Sequence, residues 1–265
     1  MKTKNLRLLH VLLCSLILSA AMSLYASAYP VKKGADFKLV SSEDGTSGYT
    51  ADGKWSENVT AYHKLTIEDK YASVYVTGLE NGSQNTTYGM YIALCDAGRH
   101  VLDASTGNGT YVKYVKDSPI GTGFAVKKGT YYIRVTGAKN YRVIVVTNKW
   151  KDKSKTKKSK AATVKRKKAV KGAFLAGEKP STSDWFKFKL TKKKAVTLYA
   201  DFSIGNGRYA VLIKTPRNKT TQYINGGQSL YWKSTGKWSK GTYYIRFKRL
   251  SDYERGSAAY TFKWK

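Results

Sequence analysis

Side chains able to act as a nucleophile, a base or a metal ligand are few in this chain. Beyond residue 28 the only histidines are His63 and His100, and the only cysteine is Cys95. Cys95 with His100 would supply a thiol nucleophile and its base. Cys95 falls in phase within a predicted strand, however, which favours an inert core thiol. Since two histidines and one cysteine also give no zinc spacing, we predict no catalytic residues, no metal and no cofactor, and therefore no enzyme.

The aromatic and basic side chains offer binding chemistry instead. The chain holds 6 Trp and 21 Tyr, many of them next to Lys or Arg. An aromatic ring presents a flat apolar face to a sugar or a base, and a neighbouring cation can hold a phosphate or carboxylate. Cross-strand pairing on a solvated face explains the outward residues equally well. The predicted ligand face consists of Tyr231, Trp232, Tyr244, Arg246 and Lys248.

Positive charge is concentrated in the second half. Residues 29–147 carry 14 basic and 11 acidic side chains, residues 148–171 carry 12 and 1, and residues 172–265 carry 19 and 5. Such a field implies an anionic partner, unless it serves solubility alone. The predicted polyanion-binding residues are Lys153, Lys155, Lys157, Lys158, Lys160, Lys165, Arg166, Lys167 and Lys168.

The start of the chain has the pattern of a secretory signal peptide. Three basic residues precede an apolar run over 8–24, which ends in the small residues Ala26-Ser27-Ala28. This pattern predicts a signal peptide over 1–28, with an uncleaved anchor as the alternative. We expect a secreted protein, extracellular or associated with the cell wall, with no membrane span after cleavage.

A repeated heptapeptide organises the rest of the sequence. Lys-Gly-Thr-Tyr-Tyr-Ile-Arg occurs at 128–134 and again at 240–246, which indicates an internal duplication. Each copy reads as a turn and then a strand, and short alternating segments surround it without a helical period. In the alignment of the two copies, His63 falls opposite Phe188 and reads as a partly buried strand residue. The fold class predicted is all-β, with two tandem antiparallel β-sandwich modules of jelly-roll type.

Composition divides the chain between these modules. We expect a loosely ordered lead-in over 29–53, with one short strand at 37–40, and a first module over 54–148. The lysine-rich segment, 149–170, reads as an extended and solvated linker, because like charges at this density repel one another. The second module is expected over 171–265.

Several core-strand patterns of the second module resemble a known family. Asp-Trp-Phe-Lys-Phe-Lys-Leu at 184–190, Gly-Thr-Tyr-Tyr-Ile-Arg-Phe at 241–247 and Tyr-Thr-Phe at 260–262 are similar to the bacterial pre-peptidase C-terminal (PPC-like) domain. That family comprises small jelly-roll β-sandwiches appended to secreted enzymes, and it is related to the collagen-binding domains of clostridial collagenases. Members that bind calcium carry acidic residues at the module entry, where this chain is rich in lysine, and this argues against calcium.

Two functions fit these features best, and a third, an accessory subunit or weak hydrolase, fits them least. The first is a secreted, non-enzymatic protein that docks on an anionic cell-envelope polymer or polysaccharide, such as wall teichoic acid or acidic polysaccharide, or binds nucleic acid without sequence specificity. The alternative is an adhesin or scaffold module that binds an extracellular protein such as collagen, as the resemblance implies. The polymer would be held by the basic residues, and the protein by aromatic residues on a sandwich face.

Overall fold

The structure of the protein is a computed structural model. It describes residues 30–41, 47–80, 90–104, 110–112, 121–179, 181–214, 219–250 and 256–265. Within these ranges the chain forms β-strands and one short 3-10 turn at Lys158–Lys160, so the predicted all-β class is confirmed. The predicted signal peptide, and a turn predicted at Asn81-Gly82, lie outside the described residues.

The strands divide between two sandwiches. Strands β1 to β7 build the first module and strands β8 to β16 build the second. In chain order the strands are β1 Val31–Lys33, β2 Lys38–Ser41, β3 Ser47–Glu80, β4 Met90–Cys95, β5 Val101–Asp103, β6 Thr110–Val112, β7 Thr122–Lys149, β8 Ala162–Thr163, β9 Val170–Phe174, β10 Ser183–Leu190, β11 Thr197–Gly205, β12 Arg208–Lys214, β13 Lys219–Asn225, β14 Ser229–Lys233, β15 Gly241–Arg249 and β16 Ala258–Trp264.

The second module consists of two separate sheets. One sheet has the order β13-β12-β15-β10-β8 and the other has the order β14-β11-β16-β9. Apolar residues alternate with polar ones along these strands, so each sheet turns one face inward. Phe186, Phe202, Phe247, Tyr260 and Phe262 are buried in the shared core. Their rings pack at centroid distances of 4.5 to 6.3 Å, as aromatic pairs prefer.

The first module has the same order of strands but uses two long ones. Residues 60–67 of β3 pair with 129–136 of β7, while residues 71–80 of β3 pair with both 122–127 and 141–149 of β7. The register shifts between Lys54 and Val59 and between Ile67 and Tyr71, where the chain passes from one layer to the other. Several short strands predicted separately are therefore continuous here, because bulges replace turns.

The duplication extends to the packing of individual side chains. Gly53 pairs with Tyr141, and Gly172 pairs with Tyr260. A Cβ at either glycine would overlap the ring of its tyrosine. Glycine is therefore needed at both positions because an aromatic ring lies flat across the backbone.

The registers also correct the predicted alignment of the two copies. His63 pairs with Ile133, and Phe186 pairs with Ile245, the matching isoleucine of the repeated heptapeptide. His63 therefore corresponds to Phe186, two residues before the predicted Phe188. Its position in the strand was predicted correctly, and the side chain is fully buried.

The expectation of a loosely ordered lead-in is wrong for the described part of 29–53. β1 pairs in parallel with β3, with Val31 opposite Thr60. β2 and the beginning of β3 form an antiparallel pair, which includes most of the predicted short strand at 37–40. The strand pattern is weak in this segment because edge strands carry polar residues on their solvated side.

The expectation that the lysine-rich segment is a solvated tether is also wrong. Its backbone runs along β10: the Trp185 amide donates to the Lys155 carbonyl at 2.7 Å, and the Val164 amide donates to the Lys187 carbonyl at 2.8 Å. β8 adds a short parallel strand to the same edge. Repulsion between lysines does not prevent this, because the ammonium groups remain in water while Ala161 and Val164 are buried.

The two modules pack against each other. The Ala176 amide donates to the Ala125 carbonyl at 2.8 Å, and Trp150 Nε1 donates to the Gly172 carbonyl at 3.0 Å. A small apolar cluster covers the contact, and its buried members are Ala125, Ala173, Leu175 and Ala259. Side chains this small let the two backbones approach closely enough for direct hydrogen bonds between the modules.

A buried carboxyl group lies at the centre of this contact. Asp103 of the first module is fully buried and accepts from the Ser257 amide at 2.7 Å, from the Ser257 hydroxyl, and from Asn206 Nδ2 at 3.1 Å. Burial raises the pKa of Asp103 to about 8, although these donors and the charge of Arg249 act in the opposite direction. The second module therefore supplies the polar partners of this group.

We expect Asp103→Ala to lower the free energy of unfolding by about 2 kcal/mol or more, because it removes the acceptor of the buried Ser257 amide and one of the two acceptors of Asn206 Nδ2. The folded state favours the protonated acid, so wild type should lose stability relative to Asp103→Asn as the pH rises from about 4 to about 8. Urea unfolding of the three proteins across this range is the measurement. A constant difference between wild type and Asp103→Asn would contradict the assignment.

Candidate functional site

The residues of the predicted ligand face do not form one patch. Tyr231 is 61% exposed on the outer face of the four-stranded sheet. Trp232 points to the opposite side of the same strand, where it packs on the core and on Trp238. Tyr244, Arg246 and Lys248 lie on the outer face of the five-stranded sheet, across the sandwich. The alternation of β14 separates Tyr231 from Trp232, because successive side chains point to opposite faces.

Tyr244 and Arg246 instead meet residues of β10. Trp185 lies opposite Arg246, and Lys187 lies opposite Tyr244. The Arg246 guanidinium lies 5.4 Å from the centre of the Trp185 ring, and its Nε and Nη2 donate to Ser183 Oγ at 3.0 and 2.8 Å. The stacking and the two hydrogen bonds hold the guanidinium in one orientation.

Trp185, Tyr244 and Arg246 line an open groove of about 330 Å³. We call it the aromatic groove. Lys158 closes one side, with Nζ 4.9 Å from the centre of the Tyr244 ring, while Lys214 and Lys219 lie on the other side. The described residues that line the groove include no carboxylate. It therefore combines two aromatic rings with four cations, a combination suited to a ring that carries an anionic group.

A second concavity, of about 370 Å³, lies at the end of β10, beside the residues that follow β8. We call it the basic pocket. Five cations line it together with Trp264: Lys165, Arg166, Lys189, Lys192 and Lys194. Reduced hydration and the charges of Arg166, Lys167 and Lys192 lower the pKa of Lys194. The cations therefore repel one another, and a bound anion would relieve that repulsion.

Outward residues of β10 connect the two concavities. Trp185 belongs to the aromatic groove, Lys189 belongs to the basic pocket, and Lys187 lies between them on the same face. Four residues of an extended strand span roughly 13 Å. An extended anionic chain could therefore contact the groove and the pocket together.

The predicted polyanion-binding residues take different positions around this surface. Lys158 lies at the aromatic groove, while Lys165 and Arg166 line the basic pocket. The others are exposed in the same ordered segment: Lys153, Lys155, Lys157, Lys160, Lys167 and Lys168. The backbone amide of Lys167 donates to the Trp264 carbonyl at 2.7 Å, which ties this part of the segment to β16.

Some residues of the two concavities were not predicted. They are Trp185, Lys189, Lys192, Lys194, Lys214 and Lys219, and Lys187 between the two concavities was not predicted either. The alternation in 184–190 shows that Trp185, Lys187 and Lys189 share a face opposite to Phe186 and Phe188. That signal was available in the sequence, but only the sheet order shows that this face meets Tyr244 and Arg246.

The structure places Cys95 and His63 in the interior and His100 at the surface. Burial raises the pKa of the Cys95 thiol to about 11, which keeps it protonated. His63 is buried between the Ala35 carbonyl and the Tyr141 hydroxyl, at 2.7 and 2.8 Å, and burial lowers its pKa. His100 is exposed and pairs with Asp96.

A buried carboxyl group also lies beneath the aromatic groove. Asp184 precedes Trp185 and points inward, where Tyr260 Oη donates to it at 2.6 Å. Burial raises the pKa of Asp184 to about 8, and the nearby carboxylates of Asp152 and Glu178 act in the same direction. The described residues contain no group of three or more acidic, histidine or cysteine side chains arranged to hold a metal ion.

Comparisons with known proteins give the following. No family model matches the chain, and no curated protein matches it. A pre-peptidase C-terminal domain of collagenase from Bacillus anthracis overlaps 40% of this chain and 94% of its own, with 16% identity and a TM-score of 0.31. The tandem CBM22-1 and CBM22-2 domains of Xyn10C from Paenibacillus barcinonensis overlap 85% and 90%, with 8% identity and a TM-score of 0.24.

A third structure, the CUB1-EGF-CUB2 domains of rat MASP-1, overlaps 88% of this chain and 99% of its own, with 7% identity and a TM-score of 0.24. Overlaps this weak assign neither a family nor a ligand. The fold and the groove define the chain as a tandem β-sandwich protein with a basic, aromatic surface on its second module. In the part of the chain that the structure describes, no helix has the length and apolar character to cross a membrane.

We expect Lys194→Gln to raise the melting temperature at low salt, because the substitution removes one of several mutually repelling cations. The difference from wild type should shrink in 1 M NaCl, where the Debye length is about 3 Å. Lys233→Gln, an exposed lysine on the other sheet, is the matched control and should change little. Thermal unfolding of the three proteins at both salt concentrations is the measurement, and a lower melting temperature for Lys194→Gln would contradict the repulsion.

Proposed function

We propose that this protein is a secreted, non-enzymatic binding protein for an acidic polysaccharide. The observation that carries the proposal is the aromatic groove, which is lined by the rings of Trp185 and Tyr244 together with four cations. A sugar ring can stack on these side chains, while Arg246 binds its carboxylate. The basic pocket would hold acidic groups further along the same chain.

The shape of the surface supports a polymer over a small ligand. The groove and the pocket are both open, and they lie along one face of β10. Small-molecule sites bury most of their ligand, whereas this surface leaves most of a ligand in water. An extended chain compensates by making several weak contacts at once, each with its own cation.

The aromatic residues favour a polysaccharide among the anionic polymers considered. A poly(glycerol phosphate) teichoic acid has charge but no ring in its backbone. It would therefore bind at the basic pocket without stacking on Trp185 or Tyr244. Nucleic acid offers rings as bases, but its phosphates dominate the affinity and give a steep dependence on salt. A binding reaction that depends on both Tyr244 and Arg246 separates these cases.

Secretion belongs to the same proposal. Residues 1–28 have the pattern of a signal peptide, and an acidic polysaccharide at the cell surface or beyond is accessible only to an exported protein. The large positive charge of the second half would then attract the polymer over a distance of about a Debye length, 8 Å at physiological ionic strength.

Binding to polygalacturonate, a polymer of a carboxylated sugar, tests the proposal. We expect Tyr244→Ala and Arg246→Gln each to weaken binding about tenfold, because a stacking contact or a charged hydrogen bond contributes on the order of 1 to 3 kcal/mol. Tyr231→Ala and Lys233→Gln, on the opposite face, are the matched controls and should bind as wild type does. Affinity measured by calorimetry between 50 and 300 mM NaCl is the readout.

Two results would overturn the proposal. One is equal binding of wild type and the groove variants. The other is binding to single-stranded DNA, poly(glycerol phosphate) or collagen under conditions where polygalacturonate is not bound. Melting temperatures of all variants establish that they are folded.

A further inference from the structure

The first module carries a face that matches the aromatic groove residue by residue. In the second module, Trp185 lies opposite Arg246 and Lys187 lies opposite Tyr244. In the first module, Tyr62 lies opposite Arg134 and Lys64 lies opposite Tyr132. All four positions therefore hold the same kind of side chain in both modules, an aromatic residue facing an arginine and a lysine facing a tyrosine.

Each module also places an additional cation over the second tyrosine of the repeated heptapeptide. In the second module this cation is Lys158, 4.9 Å from the ring centre of Tyr244. In the first module it is Arg99, whose guanidinium lies 5.5 Å from the ring centre of Tyr132 and 5.2 Å from that of Tyr62. Lys158 precedes its module, whereas Arg99 belongs to the turn between β4 and β5. The same arrangement is thus built from different elements.

The backbone at Arg99 is unusual. Its φ is +67°, a conformation that side chains other than glycine adopt at a cost. The turn is held by the Arg99 amide, which donates to the Asp96 carbonyl at 3.0 Å, and by the Asp96 side chain, which accepts from the His100 amide at 2.8 Å. A strained turn that fixes an exposed guanidinium above two rings presents a preoriented anion-binding group.

Further tyrosines extend this face across the sheet. Tyr91 on β4 lies opposite Tyr111 on β6; they are 40% and 41% exposed and their rings are 5.8 Å apart. Tyr91 also lies opposite Thr136 on β7, four residues along the same strand from Tyr132. From Tyr62 to Tyr111 the face crosses four strands, roughly 14 Å at the usual strand spacing.

We propose that this tyrosine face, made of Tyr62, Tyr91, Tyr111, Tyr132 and Arg99, is a second binding site for an acidic polysaccharide. The inference rests on the proposed function, since it assigns the same ligand class to the matching position of the other module. The site has more rings and fewer cations than the aromatic groove, so stacking contributes more of its affinity and salt weakens it less. Two sites on one chain give avidity for a long polymer.

Titration with a short oligogalacturonate measures the number of sites directly. Calorimetry should give a stoichiometry of two for wild type and of one for Arg99→Ser and Tyr91→Ala together. Tyr244→Ala should keep one site at wild-type affinity, which is the less salt-sensitive one, and weaken the other about tenfold. Lys54→Ser, an exposed lysine on the other layer of the first module, is the matched control and should keep two sites.

Polygalacturonate gives the second readout. With a long polymer, loss of the tyrosine face should lower the affinity by about tenfold or more, because the two sites act together, while the affinity for the short oligomer at the remaining site stays the same. Melting temperatures confirm that each variant is folded.

The outcomes separate this inference from the proposed function. A wild-type stoichiometry of one, at a site that Tyr244→Ala weakens, would overturn the second site and leave the proposed function standing. A stoichiometry of two that the Arg99→Ser and Tyr91→Ala variant does not change would also overturn the tyrosine face. If wild type binds neither form of galacturonate, the proposed function falls, and the second site falls with it.

Discussion

The pairing of the heptapeptide strand with its partner is the interaction on which the rest of the structure depends. In β15, Ile245 and Phe247 point into the core, while Tyr244 and Arg246 point outward. The partner strand β10 alternates in the same way, so one register places Phe186 in the core and Trp185 beside Arg246. Because side chains alternate with a period of two, a slip of one residue would turn Arg246 into the core and expose the core rings of Phe186 and Phe247.

The same register repeated in β3 and β7 explains why the two modules carry matching faces. Residues needed for packing, such as Tyr141 and Tyr260 over their glycines, have been kept in both copies. The outward residues differ more freely, since solvent accepts any polar or aromatic side chain. The second module carries lysines around its groove, and the first carries tyrosines and Arg99 at the matching face.

The lysine-rich segment shows how charge and order coexist. Its ammonium groups lie in water, while its backbone hydrogen-bonds to the edge of β10. This arrangement protects an edge strand from pairing with other chains and, at the same time, lines the groove and the pocket with cations. At the inter-module contact an acidic group is buried instead: Asp103 accepts hydrogen bonds from the other module, and burial raises its pKa although those donors act in the opposite direction.

The sequence by itself determined the all-β class, the duplication, the location of the core strands and the basic second half, because alternation and charge are local properties. It also indicated that Tyr244 and Arg246 point outward. It could not show that Tyr231 and Trp232 lie apart from them, or that Trp185, Lys158 and Lys194 join the site, because those relations depend on which strands become neighbours. Only the tertiary structure decided that residues 149–170 are ordered, because the backbone partners of this segment lie on β10 and other distant strands. It also decided that Asp103 is buried, because the donors to its carboxyl group come from the other module.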